Sequence, residues 1–306
     1  MHKTIYGLLL LVAPGFWIAA SASDKKPTNT DQKNFPIATQ TLLNGVTSTE
    51  SKSVIKSVLM IQCPKDGIKG TGFVLSGGGT ITTNSHVIGN CSADELVGTS
   101  AVSNEPVKFS GLVRDPDRDL ALLCATKPLP FDLKLSGSEK PAVETEVETW
   151  GYPLRYQSPA PLLSRGYVAG YWAEQRRQDN GQPGKPVEHL IVNGALNPGN
   201  SGGPLIDRAT GKVIGIVVEK WTLFSPNVES VVTALEHPGG GFGGGVPIYV
   251  RYPDGEVKQV SQTEGIRVAL KEIYDASQVM IGEAISVSEL NAFIKEKREG
   301  LVCASH

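Results

Sequence analysis

Residues 197–205 read NPGNSGGPL, a glycine-rich turn with one serine at its centre. Glycines on both sides of the serine allow the backbone to approach closely and to adopt turns that other residues resist. A serine on such a turn, beside free backbone N–H groups, has the surroundings that a nucleophilic hydroxyl and its oxyanion need. An ordinary glycine-rich turn is the alternative for this stretch taken alone, so Ser201 needs a base and an acid elsewhere in the chain.

Two upstream segments supply a candidate base and a candidate acid. Residues 82–88 read TTNSHVI, which places His86 directly after a β-prone stretch, where a strand end can fix a side chain. Residues 114–123 read RDPDRDLALL, which places Asp119 at the start of an apolar strand. Asp115 and Asp117 fit a solvated turn well, and Asp119 fits it less well.

Short apolar stretches bounded by Gly, Pro, Asn and Asp dominate the chain from residue 58 onward. This pattern predicts many short strands, which is typical of a barrel or a sandwich. Two later segments, 264–276 and 287–299, have helical character, and Ser288 caps the second. The predicted strands are Val58–Ile61, Gly72–Leu75, Thr80–Thr83, Leu120–Cys124, Val147–Trp150, Gly166–Tyr171, Leu190–Asn193, Pro204–Ile206, Val213–Val218 and Val246–Val250.

Four motifs, in this order and spacing, resemble the signatures of the trypsin-like serine peptidases, and within them the HtrA/Deg-like branch. They are GTGFVL at 70–75, TNSHV at 83–87, DLALL at 119–123 and GNSGGPL at 199–205. The resemblance implies an all-β, chymotrypsin-like fold of two six-stranded antiparallel β-barrels with a C-terminal helix. The domain would span 48–297, with an N-barrel at about 53–135, a C-barrel at about 140–287 and a closing helix at about 287–299.

The resemblance also implies a role for each candidate residue. Ser201 would attack the peptide carbonyl, His86 would accept and return its proton, and Asp119 would orient the imidazole. The backbone N–H groups of Gly199 and Ser201 would form the oxyanion hole. No metal and no organic cofactor is required.

Substrate preference is read from Ala195, six positions before the candidate nucleophile. Trypsin-type enzymes keep an aspartate there, so the alanine argues against Lys or Arg at P1, and we expect a small apolar P1 residue in a protein or peptide substrate.

The leading hypothesis is therefore an exported serine endopeptidase. The alternative is a catalytically idle, protease-like module that binds peptides or acts as a chaperone. A glutamyl-type endopeptidase on the same fold is disfavoured by Gly203-Pro204.

The amino terminus has the features of a secretory signal peptide. Lys3 precedes an apolar run from Ile5 to Ala19, and small residues at 20–22 suit a cleavage site, so we expect removal of residues 1–22. A retained membrane anchor is the alternative, but Pro14-Gly15 interrupts a run already shorter than the ~20 residues that span a bilayer. The mature protein would be periplasmic or secreted, without membrane attachment, and residues 23–47 would form a polar, mobile leader.

Charge and cysteine content restrict the possible partners and compartment. The 306 residues carry 29 Lys and Arg against 31 Asp and Glu, which argues against general attraction to nucleic acid. Four cysteines, Cys63, Cys91, Cys124 and Cys303, allow up to two disulfides in an oxidising compartment, with three possible pairings. Four unbonded, buried thiols are the alternative.

Two departures from the HtrA pattern stand out. Only a short tail, 298–306, follows the predicted closing helix, so no PDZ domain is expected there. A long insertion at 222–280 holds a Gly-rich loop (238–245), a predicted hairpin through 252–255 and a predicted helix. The sequence leaves two roles open for this insertion, which are to cover the cleft or to form additional surface only. The polar loop 174–188 is predicted to be the tip of a hairpin.

Overall fold

Seven short strands from the first half of the chain form one curled antiparallel sheet. The computed structural model describes residues 35–220 (without 104, 138, 155, 157 and 176–182), 248–251, 257–261, 264–267, 270, 281–297, 301 and 303. The order across the sheet is β5-β4-β1-β2-β3-β7-β6. The strands are β1 (Val58–Cys63), β2 (Ile68–Val74), β3 (Thr80–Thr83), β4 (Val97–Ser100), β5 (Pro106–Val107), β6 (Phe109–Asp115) and β7 (Leu120–Ala125).

Six later strands close into a barrel in the order β10-β15-β12-β11-β8-β9. They are β8 (Glu146–Gly151), β9 (Leu162–Glu174), β10 (Val187–Gly194), β11 (Pro204–Asp207), β12 (Val213–Lys220) and β15 (Ile281–Ser286). A separate antiparallel pair, β13 (Ile248–Arg251) and β14 (Val257–Val260), lies within the predicted insertion.

The predicted all-β, chymotrypsin-like fold with a C-terminal helix is confirmed, with one difference in the first sheet. That sheet has seven strands in an open order rather than six in a closed barrel. The edge strand β5 has two residues, and Pro106 has no N–H to donate to a further strand. A proline of this kind is suited to a sheet edge and does not extend the pairing.

The helices whose bounds lie within the described residues are α1 (Phe35–Gly45), α2 (Thr49–Ser57), α3 (Ser85–Ile88) and α4 (Val287–Lys297). A 3₁₀ turn covers Ala93–Glu95. Helix α1 differs from the expectation of a mobile leader over 23–47, because Leu42, Leu43 and Val46 pack against the main apolar core. Among the described residues, no helix is both long enough and apolar enough to cross a bilayer.

Several sequence predictions lie wholly or partly outside the described residues. These are the signal peptide, the leader up to residue 34, the Gly-rich loop, the hairpin tip at 252–255 and most of the tail. Residues 264–267 and 270 of the predicted helix at 264–276 are helical.

One apolar cluster joins the two sheets and the last helix. It contains Phe73 and Leu122 from the first sheet, Trp150 and Ile216 from the barrel, and Phe293 from α4, all buried. Burial of side chains from both sheets in a single cluster fixes the sheets against each other, because separating them would expose this apolar surface to water. Residues that lie where the two sheets meet are therefore held in fixed positions relative to each other.

Two disulfides form, which resolves the pairing that the sequence left open. Cys63 at the end of β1 bonds Cys91, which follows α3, and Cys124 on β7 bonds Cys303 near the carboxyl terminus. The first disulfide holds the segment after α3 against β1. The second attaches a residue beyond α4 to the first sheet, across a sequence separation of 179.

Replacing the second disulfide should destabilise the protein substantially. We expect Cys124→Ser/Cys303→Ser to lower the free energy of unfolding by about 2–5 kcal/mol, because a long crosslink restricts the unfolded chain strongly. Urea unfolding of oxidised protein measures this difference. After reduction, the variant and the wild type should differ little, and equal stability under oxidising conditions would contradict the prediction.

Candidate active site

His86 lies on the one-turn helix α3, directly after strand β3. Its neighbours Val87 and Ile88 are buried and anchor the turn, whereas 48% of the His86 side chain is exposed. The helix ends at Gly89 with φ +56°, where a Cβ would lie 2.6 Å from Asp66 Oδ2 and from Ile68 Cδ1. The buried Val87 and Ile88 side chains therefore hold the turn in place, while the His86 imidazole stays exposed to solvent.

Asp119 binds His86 through both of its carboxylate oxygens. Oδ2 lies 2.7 Å from His86 Nδ1, and Oδ1 accepts a 2.9 Å hydrogen bond from the His86 backbone N–H. The carboxylate is 9% exposed, so this contact is shielded from bulk water. A carboxylate at Nδ1 favours the tautomer with its proton on that nitrogen, which leaves Nε2 available as a base.

The backbone of Asp119 is held in an unfavourable conformation. Its φ is +53°, in the left-handed region that costs a non-glycine residue roughly 1–2 kcal/mol. Its carbonyl oxygen accepts hydrogen bonds from Asn84 Nδ2 at 3.0 Å and from the Ser85 N–H at 3.1 Å. Residues 84 and 85 therefore hold the main chain of Asp119, while His86 itself holds the carboxylate.

The loop with Ser201 rests on the first sheet. Thr71 N–H donates a 2.8 Å hydrogen bond to the Ser201 carbonyl oxygen, and Thr71 Oγ1 donates one of 2.6 Å to the Gly199 carbonyl oxygen. Gly202 has φ +83°, and a Cβ there would lie 2.1 Å from the Thr71 carbonyl oxygen. Only glycine permits so close an approach between the loop and β2.

Ser201 and the segment carrying His86 meet at Gly70. A Cβ at Gly70 would lie 2.6 Å from Val87 Cγ2 and 3.1 Å from the Ser201 carbonyl oxygen. In the described part of the chain, the His86 side chain is hydrogen-bonded to Asp119 and makes no hydrogen bond with Ser201. Catalytic hydrogen bonds are commonly long or poorly aligned before substrate binds, so this arrangement is compatible with a serine that pairs with His86 during reaction.

Two backbone N–H groups beside Ser201 have no acceptor among the described residues. They belong to Gly199 and Ser201, whereas Asn200, Gly202 and Gly203 all donate to backbone carbonyls. The Pro198 carbonyl accepts a 2.8 Å hydrogen bond from the Leu154 N–H. The peptide bond is trans, so the Gly199 N–H points to the opposite side from that carbonyl. These free donors can bind a developing oxyanion.

Ala195 directly follows β10 and is partly exposed, while the next residue, Leu196, is buried in the core of the barrel. The small side chain adds no charge to this position. The structure thus places a neutral, small residue between β10 and the 197–203 loop that carries Ser201.

Two supporting residues were not predicted from the sequence. Thr71 lies within the GTGFVL motif, but its hydroxyl bridge to Gly199 and to the Tyr152 N–H appears only in three dimensions. Lys69 Nζ lies 3.4 Å from the Pro153 carbonyl oxygen and 3.2 Å from that of Tyr156, and burial lowers the pKa of this lysine. No sequence signal separates Lys69 from an ordinary surface lysine.

Comparison with known proteins identifies a peptidase domain in this chain. Residues 70–216 match the family model of the trypsin-like peptidase domain. "Protease Do-like 4, mitochondrial" of Arabidopsis thaliana is 26% identical over 79% of this chain and 45% of its own length. A probable periplasmic serine endoprotease, DegP-like, of Pseudomonas putida (strain GB-1) is 37% identical over 48% of this chain and 28% of its own length. The chain thus spans less than half the length of either curated relative.

Solved structures support the fold. An inactive form of Rv3671c from M. tuberculosis H37Rv superposes with a TM-score of 0.53 at 17% identity, covering 82% of this chain and 91% of that one. The HtrA-type protease AlgW, crystallised with a tripeptide, gives 0.50 at 19% identity over 82% and 63% of the two chains. Residues 70–216 thus form a trypsin-like peptidase domain that resembles the HtrA-like serine proteases, and the solved structures share its fold.

Proposed function

We propose that this protein is a serine endopeptidase that cleaves peptide bonds in protein substrates through Ser201, His86 and Asp119. The observation that carries the proposal is the buried Asp119 carboxylate on His86 Nδ1, at a seam where the Gly199 and Ser201 N–H groups have no acceptor among the described residues. A binding module has no physical need for this combination. HtrA-like relatives that are named as proteases support the same assignment.

In the acylation step, His86 Nε2 accepts the Ser201 hydroxyl proton as Oγ attacks the substrate carbonyl carbon. The carbonyl oxygen becomes negatively charged and accepts hydrogen bonds from the Gly199 and Ser201 N–H groups. Asp119 stabilises the resulting imidazolium without taking its proton. Because the donors are fixed by the loop before reaction, they stabilise the transition state without reorganisation.

To complete acylation, His86 gives its proton to the leaving amine, the C–N bond breaks, and the carbonyl carbon stays bonded to Ser201 Oγ as the acyl-enzyme ester. A water molecule then enters, loses its proton to His86 and attacks the acyl-enzyme ester. Return of the proton from His86 to Ser201 Oγ releases the carboxylic acid product. The same three residues therefore serve both steps, with no metal or organic cofactor in the proton transfers.

Residue 195 supports a preference for small apolar P1 residues. A neutral alanine offers no counter-charge to a buried Lys or Arg side chain, which would then be desolvated without a partner. Small aliphatic side chains carry no such cost.

Export is part of the proposal. Two disulfides between all four cysteines are suited to an oxidising compartment. One relative is named as a probable periplasmic enzyme. Together with the signal-peptide features of residues 1–22, these observations favour a periplasmic or secreted location.

Covalent labelling tests the assignment of the nucleophile. We expect a fluorophosphonate probe to modify wild-type protein at Ser201 and to leave Ser201→Ala unmodified, because only an activated serine reacts with it. Peptide mapping by mass spectrometry locates the label. Absence of labelling in folded protein, also with unfolded substrate present, would instead favour a peptide-binding or chaperone module.

The role of the carboxylate is tested by Asp119→Asn. This change keeps the size of the side chain but removes the charge that stabilises the imidazolium and fixes its tautomer, so kcat should fall about 10⁴-fold. Steady-state kinetics on a peptide substrate measure the effect. Asp117→Asn, in the same turn, is the matched control and should retain wild-type kcat.

A peptide-library digest tests the P1 preference. We expect cleavage mainly after small aliphatic residues and a relative gain of cleavage after Lys and Arg in Ala195→Asp, which supplies a counter-charge. Mass spectrometry of the products gives both ratios. Cleavage of the library by wild-type protein mainly after basic residues would refute the preference.

A further inference from the structure

Arg118, the residue before Asp119, joins the active-site turn to the closing helix. Asp115 at the end of β6 pairs with Leu120 at the start of β7, so residues 116–119 form the loop of a hairpin. Asp119 faces His86 from this loop. Arg118 contacts α4 instead, and its side chain is only 13% exposed.

The guanidinium of Arg118 contacts three carboxylates. Its Nη1 lies 2.7 Å from Asp115 Oδ2 in the same hairpin, and its Nε lies 3.2 Å from Glu289 Oε2 on α4. Both terminal nitrogens hold Glu296, with Nη1 and Nη2 each 2.8 Å from one of its oxygens. Paired hydrogen bonds of this kind fix the orientation of a planar guanidinium as well as its position.

The carboxylates themselves are attached to further parts of the fold. Asp115 Oδ1 accepts a 3.1 Å hydrogen bond from the Arg118 backbone N–H. Glu289 Oε1 accepts one of 3.1 Å from the Glu188 N–H at the start of β10. Arg118 therefore links the hairpin loop, α4 and the second barrel through groups that have defined partners.

The link between the hairpin loop and α4 depends on Arg118, because the groups that it joins are all negatively charged. One guanidinium neutralises part of the charge of three carboxylates, and hydrogen bonding to Arg118 is the main cause of the lowered pKa of Glu296. Lys185 also lines the crevice of about 430 Å³ between the loop and α4. Without Arg118, the negative groups of the loop and the helix would repel each other across that crevice.

We propose that Arg118 is a positioning residue, which holds the strained backbone of Asp119 so that its carboxylate stays on His86 Nδ1. The closing helix is then part of the catalytic geometry, although it lies outside the triad. A displacement of about 1 Å at a catalytic group costs as much as ~10² in rate. This inference rests on the proposed peptidase function for its kinetic test and is independent of it for its spectroscopic test.

The kinetic test uses Arg118→Ala, with active sites counted by fluorophosphonate titration. We expect kcat per titrated site to fall about 10- to 100-fold with KM little changed, because Arg118 acts on the triad and contacts none of the residues assigned to substrate. A purely structural residue would reduce the number of active sites or the unfolding temperature and leave kcat per site intact. That result would overturn the proposal.

The matched control is Arg208→Ala. Arg208 also pairs with two carboxylates, Glu146 and Glu148, but lies on the second barrel away from the hairpin loop. Loss of this arginine should leave kcat per site unchanged. An equal fall in kcat for both arginine variants would show a general effect of instability and would count against the proposal.

Two milder variants address the case in which Arg118→Ala does not fold. Glu296→Gln changes a side chain that is 47% exposed, and Arg118→Lys keeps the charge but loses the paired hydrogen bonds. Each should lower kcat several-fold, and Arg118→Lys should retain more activity than Arg118→Ala. Wild-type kcat in both milder variants would contradict the assignment.

The spectroscopic test needs no catalysis. The His86 Nδ1 proton shared with Asp119 should give a low-field proton resonance by NMR at low pH in wild-type protein. We expect this resonance to shift upfield or broaden in Arg118→Ala and to stay unchanged in Arg208→Ala. An unchanged resonance in folded Arg118→Ala would overturn the positioning role, even if the wild type proves to be an idle module.

Discussion

The 197–203 loop rests on Thr71 of the first sheet through main-chain and side-chain hydrogen bonds, with no space for a Cβ at Gly202. The strand that carries Thr71 pairs with β3, and β3 leads directly into His86. Ser201 and His86 are thus positioned by the same two strands, although they lie 115 positions apart in the sequence. Because a common apolar cluster joins the two sheets, this relation does not depend on a flexible loop alone.

The local parts of the site could be predicted from the sequence because each depends on short-range chemistry. Gly199 and Gly202 both have a positive φ, which glycine adopts without strain. The glycines on both sides of Ser201 in the sequence therefore predict this turn directly. The β-prone run before His86 and the apolar run after Asp119 became β3 and β7. These segments form strands because their side chains are buried in the sheet core, so the period and composition of the sequence were informative.

The remaining features depend on contacts between distant residues, which no local pattern specifies. The bond between Cys124 and Cys303 requires the carboxyl-terminal segment to return to the first sheet. Leu42 and Leu43 of helix α1 lie among polar residues in the sequence, and they pack against a core whose side chains come from both sheets. Pro106 likewise lies on the edge strand β5, where it has no N–H for a further strand, through a pairing with β4 that spacing alone does not give.

Asp119 shows how a local cost is met by the surrounding fold. Glycine would adopt its φ of +53° without strain, but glycine supplies no carboxylate for His86. The position must therefore combine a left-handed backbone with a charged, buried side chain, and neither condition favours the folded state by itself. Hydrogen bonds from Asn84 and Ser85 hold one side of this residue, and the contacts of Arg118 with α4 hold the segment on its other side. A loop held from both sides keeps the Asp119 carboxylate on the His86 imidazole, and under the proposed mechanism this gives the contacts between α4 and the loop a role in the proton transfers.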